Sequence, residues 1–158
     1  MTKEEKKAAA IYKDIYKYLD SRECKYTKRD DGSVEFIAES NDIDINCRFL
    51  VNSDLEIISF LSPLPMTVRE EYRVDMALAV SAINSSLIDG SFDFDYLTGN
   101  VAFRITSSYR NSIIGIDCYD YLLEVSRNTV DDYNDKLLLL SLGKMTVDEI
   151  IDFINSED

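Results

Sequence analysis

Two acidic couples, Asp42-x-Asp44 and Asp93-x-Asp95, are the spacings in this sequence that could do chemistry, because paired carboxylates hold hard cations or share a proton. Asp89, Asp93 and Asp95 do not have the spacing of a helix–loop–helix calcium site. In both couples the acids alternate with aliphatic or aromatic residues, which is also what the solvated face of a β-strand produces. The chain has no histidine, so the commonest general base and metal ligand is missing, and histidine-based triads or cysteine–histidine nucleophiles are excluded. Cys24, Cys47 and Cys118 are odd in number and widely spaced. They indicate neither a disulfide framework nor a zinc site, and each reads as a small buried thiol. No catalytic, cofactor or metal residues are assigned, and the expectation is a protein that is not an enzyme.

The elements that would position these acids follow from periodicity. Ala8, Ile11, Tyr12, Ile15, Tyr18 and Leu19 recur at helical spacing, and Glu4 and Glu5 favour the N-terminal end of that helix. From Cys24 the period becomes two. KYTKR and SVEFIAE flank Asp31-Gly32, a dipeptide suited to a type I′ hairpin. In IDINCRFLV, Ile43, Ile45, Cys47, Phe49 and Val51 face one side while Asp44, Asn46 and Arg48 face the other. LEIISFL is the next strand. Pro63 and Pro65 in SPLPM predict that the sheet breaks there.

Thr67 and Glu70 have the spacing of a capping box, so a second helix is expected from about Val68 to Leu87. Tyr72, Met76, Val80 and Ile83 form its stripe, widened by Ala77, Ala79 and Ala82. Phe92, Phe94 and Tyr96 then alternate with Asp93 and Asp95, and Gly99-Asn100 turns the chain into Val101, Phe103 and Ile105. SSYRNSIIG reads as a loop. A long helix runs from Asp117 to Leu142, and a capping box at Thr146 and Glu149 opens a short last one. Four consecutive leucines, 137–140, cannot all be buried by one helix face. Either the last helix covers the outer ones or a second copy of the chain does.

The tyrosines at 12, 16, 18, 119, 121 and 133 could line a binding surface, and the rim of the core is their plainer place. Asn84-Ser85-Ser86 matches a glycosylation acceptor, at an expected helix end in a chain with no secretory leader, and carries no weight.

The element order is α-ββββ-α-ββ-α-α, without βαβ alternation. It implies an α+β fold, with a mostly antiparallel sheet covered on one face by helices, in one domain over 1–158. A net charge of −13 repels phosphate backbones and anionic lipid, so neither nucleic acid nor a membrane is expected as a partner. With no leader-like or membrane-spanning run, the expected location is the cytoplasm.

The proline-bearing SPLPM, the helix end ALAVSAINSSLIDGSFDFD and the hairpin end GNVAFRI resemble the YbjN family, bacterial proteins described as candidate sensory transduction regulators. The resemblance covers the middle half of the chain. It implies a fold like that of type III secretion chaperones, which bind protein segments, often as homodimers. No functional residue carries over, since the matching motifs are packing and turn residues.

The expected function is a non-enzymatic adaptor or chaperone-like regulator. It would bind a segment of a protein partner along a sheet edge or groove, with Asp44, Arg48, Asp93, Asp95 and Arg104 as candidate contacts. A homodimer stays open. One alternative is an acidic immunity-type antagonist masking a basic partner. The other is an enzyme of carboxylate or tyrosine chemistry, which needs a deep pocket with converging carboxylates.

Overall fold

The first helix, α1 (Lys3–Ser21), begins with a capping box the sequence reading passed over. The Thr2 hydroxyl accepts the Glu5 N–H at 3.1 Å and the Glu5 carboxylate accepts the Thr2 N–H at 2.6 Å. The computed structural model describes residues 1–157. Six strands follow the expected order: β1 (Tyr26–Lys28), β2 (Val34–Ala38), β3 (Ile45–Asn52), β4 (Ile57–Thr67), β5 (Ser91–Phe94) and β6 (Asn100–Ser108). They form one wholly antiparallel sheet in the order β1-β2-β3-β4-β6-β5. Three further helices complete the chain, α2 (Arg73–Ser86), α3 (Ile116–Ser141) and α4 (Val147–Ser156).

Strand alternation divides the sheet into two unlike faces. Val34, Phe36, Cys47, Phe49, Ile58, Phe60, Phe92, Phe103 and Ile105 are buried against the helices. Each large apolar side chain removed from water in this way contributes about 1.5–3 kcal/mol. Helix α1 packs on β3, and α3 packs on β4 and β6. Tyr119 of α3 meets Phe49 edge-on, with ring centroids 6.1 Å apart. Among the described residues no helix covers the opposite face, which is half-buried or exposed along Glu35, Ile37, Asn46, Arg48, Leu50, Ser59, Leu61, Ala102 and Arg104.

Several expectations are corrected by how the backbone satisfies its hydrogen bonds. The prolines do not break the sheet. β4 runs on through Pro63 and Pro65 to Thr67. Its pairing with β3 ends at Leu61, so the proline half has β6 alone as partner, and a register shift between Pro63 and Thr67 absorbs the missing donors. Thr67 therefore pairs with Asn100 instead of capping a helix, and α2 starts later, after a short 3₁₀ turn (Glu70–Tyr72). The β1–β2 turn is not type I′, since Gly32 alone takes positive φ (+85°). The Gly32 N–H reaches the Arg29 carbonyl at 3.0 Å and the Arg29 N–H reaches Ser33 at 2.9 Å, a three-residue loop with a glycine bulge. Ile43 and Asp44 precede β3. Of the α2 alanines, Ala79 is buried and Ala77 exposed.

Helix α4 opens with the expected Thr146–Glu149 box and packs on α2. Its Phe153 ring stands against Tyr133 of α3, 5.6 Å between centroids. Leu137 and Leu140 are buried, whereas Leu138 stays 41% exposed, so the last helix covers the leucine run incompletely. Tyr18, Tyr119 and Tyr133 lie in the core, with burial pushing the Tyr119 hydroxyl up to about 12. All three cysteines are free thiols; Cys47 is buried and Cys24 and Cys118 half-buried.

Candidate protein-binding edge

A sheet of six strands in open order has two edges, and an edge strand presents unpaired N–H and C=O groups to whatever lies beside it. At Phe92 the β5 edge is closed by α2. The Asn84 side-chain amide donates to the Phe92 carbonyl at 3.0 Å, and its oxygen accepts the Phe92 N–H at 2.8 Å. One side chain thus stands in for a neighbouring strand. At the other end of α2, the Arg73 guanidinium grips the turn after β5, donating to the carbonyls of Leu97 (2.8 Å) and Tyr96 (3.2 Å), and also donates to the Val68 carbonyl just after β4 (3.0 Å).

The β1 edge has no such cover. The Arg29 N–H bonds Ser33 across the ladder, so alternation turns the backbone groups of Thr27 inward and those of Tyr26 and Lys28 outward. Among the described residues, no side chain or loop bonds the backbone of Lys25–Lys28 from outside the sheet. β2 also extends past β1, since Ile37 and Ala38 pair with β3 alone.

The strand is short but braced. Tyr26 stacks on Tyr16 of α1 (5.5 Å, 9°), Tyr16 on Tyr12 (6.3 Å, 21°), and the Lys28 ammonium lies 4.1 Å from the centre of the Tyr16 ring. On the helix-free face, Lys25, Thr27, Arg29, Glu35, Ile37 and Asn46 line a hollow of about 380 Å³. A second of about 410 Å³ lies between Arg22–Lys25, Ile37–Glu39 and Leu123 and Arg127 of α3. Ile37 is 61% exposed between them.

The five candidate contacts fall into separate places. Arg48 and Arg104 share one row across the helix-free face, Thr27–Glu35–Arg48–Leu61–Arg104–Ser91. Arg104 is held by Asp93 through two hydrogen bonds (2.7 and 3.3 Å), which strengthen its proton affinity. Asp95 is a turn residue. Its carboxylate accepts the Thr98 and Leu97 N–H groups, at 3.3 and 2.9 Å, and they hold its pKa below the usual range. Asp44 is exposed and precedes β3. The residues of the β1 edge were not singled out in the sequence, although Lys25, Lys28 and Arg29 stand out as a basic cluster in an acidic chain. Asn84 sends no sequence signal, because its role depends on where α2 docks.

The edge has little to do covalent chemistry with. Among the described residues no group of three His, Cys, Asp or Glu side chains is placed to hold a metal ion. Nor, among the described residues, is any helix long and apolar enough to cross a membrane.

No protein-family model and no curated protein matches the chain significantly. Solved structures do. A chain in the crystal structure of the ExsC–ExsE complex superposes with a TM-score of 0.60 at 13% identity, over 82% of this chain and 95% of that one. YbjN from E. coli, described as a candidate transcription regulator, superposes with a TM-score of 0.54 at 12% identity, over 90% of both chains. At such identities the likeness establishes fold, and the α+β, chaperone-like fold implied by the resemblance to the YbjN family is the fold of this chain.

Proposed function

We propose that this protein is a non-enzymatic adaptor or chaperone-like regulator that takes up an extended segment of a partner protein as a seventh strand beside β1. The observation that carries the reading is the contrast between edges: Asn84 occupies the outward groups of Phe92, while those of Tyr26 and Lys28 have no partner among the described residues. Main-chain bonds to β1 supply affinity, and the hollows flanking Ile37 accept alternate side chains. That one fold neighbour was crystallised as a complex of two proteins agrees with a binding role. Of the five contacts expected from sequence, Arg48 lies nearest the docked segment through its shared row with Glu35 and Thr27. Arg104, Asp93, Asp95 and Asp44 serve turns or outlying surface.

Lys28→Pro is the direct test. Its N–H points away from the sheet, so proline removes a docking donor without breaking the β1–β2 ladder. Capture of a partner from lysate of the source organism, abolished by Lys28→Pro but kept by Lys28→Ala, with unchanged circular dichroism, is the expected result. Equal capture by Lys28→Pro contradicts strand addition.

A homodimer rests on a different surface. Val74 and Leu78 on the outer side of α2 are 57% and 54% exposed, and Ala77, Ser81 and Ser85 beside them carry no charge. A second copy packing on this stripe gives a dimer in light scattering that dissociates on dilution and is lost in Leu78→Glu; a monomer at every concentration rules it out.

A further inference from the structure

The two edges differ in charge as well as in cover. Arg22 to Arg29 holds four basic residues against Glu23, a local +3 in a chain of −13. Around β5 the signs reverse, with Asp89, Asp93 and Asp95 against Arg104.

Two carboxylates near β1, Glu35 and Asp31, are already engaged. Glu35 lies between Arg29 (2.6 Å) and Arg48 (3.7 Å), one acid shared by two guanidiniums. Asp31, in the turn that bounds the strand, accepts the Ser33 N–H (2.9 Å) and hydroxyl (2.6 Å). Lys25 and Lys28 are exposed and make no ion pair among the described residues. Lys25 borders both hollows.

Resting on the strand-addition reading, we infer that the segment taken up at β1 is acidic. Its alternate side chains are carboxylates lying beside Lys25 and Arg29 on the helix-free face, and the others meet Tyr26 and Lys28. Opposite charges directly across a strand pair stabilise the pairing, and like charges oppose it. The same lysines oppose pairing of the open edge with a second copy of itself, since a cationic strand repels its like. The acidic β5 of another copy is a poorer match, because Asn84 already holds the outward groups of Phe92 at its centre. A partner whose free segment is anionic satisfies both the backbone and the charge of the edge.

Selection from a displayed library of random dodecapeptides, followed by anisotropy on the enriched sequences, tests this. Enriched peptides should alternate acidic with β-branched or aromatic residues. They should bind at least about tenfold more weakly to Lys25→Glu/Lys28→Glu, and more weakly as salt rises. Exchanging their acids for lysine should restore binding to that double variant and abolish it for the parent protein. Basic or uncharged winners overturn the acidic class; if Lys28→Pro still abolishes their binding, docking at β1 survives. Winners indifferent to Lys28→Pro, or no winners at all, overturn strand addition and this inference with it.

Discussion

The β5 and β1 edges solve one problem in opposite ways. β5 is four residues long, buries Phe92 between Phe103 and Tyr133, and is closed from outside at Phe92 by Asn84 of α2, with Arg73 clamping the turn beyond it. β1 is three residues long, rests on a half-buried tyrosine stack, and leaves its outer backbone open beside two hollows. An open strand edge invites aggregation, so a protein that seals one and leaves the other bare, short and cationic treats them differently for a reason. The covered edge belongs to the core, and the bare one is where the proposed docking is placed.

Stability should divide accordingly. Phe92→Ala removes a fully buried ring and should cost about 3–5 kcal/mol in urea unfolding. Tyr26→Ala, which loses a half-buried stack, should cost about 0.5–1.5 kcal/mol. Equal costs would break the comparison, because the β1 end would then be as much core as the β5 end.

Asn84→Ala sharpens it. The substitution strands both backbone groups of Phe92 and should cost about 1–3 kcal/mol, with faster amide exchange at Phe92. It should also make β5 available for pairing, seen as concentration-dependent association. Asn84→Asp keeps the acceptor for the N–H and should keep that amide protected.

The smallest effect is on the two hairpin turns. Asp31 at the β1 end and Asp95 at the β5 end are both held below the usual carboxylate range, Asp31 by the Ser33 hydroxyl and N–H and Asp95 by the Thr98 and Leu97 N–H groups. Their contribution is present above the ordinary aspartate pKa and is lost as pH falls through the lowered folded values. In an acid titration followed by amide exchange, the β1 turn should loosen first, since the other turn is also clamped by Arg73 through the Tyr96 and Leu97 carbonyls. Simultaneous loosening would remove the asymmetry at the turns.

Periodicity made most of the fold legible. The six alternating runs and four helical stripes each became an element, because burying one face fixes the register of a strand or helix. The errors fell where tertiary pairing competed with local chemistry. Pro63 and Pro65 read as a break because the sequence does not say that β3 stops short of them, leaving proline an unpaired side to occupy. Thr67 and Glu70 have the spacing of a cap, but pairing with Asn100 claimed Thr67 first.

The binding edge was half legible. That a sheet edge exists follows from strand count, and the basic cluster around Tyr26 was open to view. Which edge is bare was not, since it depends on Asn84 of one element meeting Phe92 of another. The alternation that placed Asp93 and Arg104 on a polar face was correct, but their mutual pairing leaves little charge to offer a partner.

Backbone amide exchange, measured residue by residue on the free protein and on its complex with a captured partner, tests the central claim most directly. In the free protein the Tyr26 and Lys28 amides should exchange as open groups while Phe92 is protected; in the complex, Tyr26 and Lys28 should become protected and the β5 edge should stay as it was. Protection gained at β5, or none gained at Tyr26 and Lys28, would contradict docking at β1.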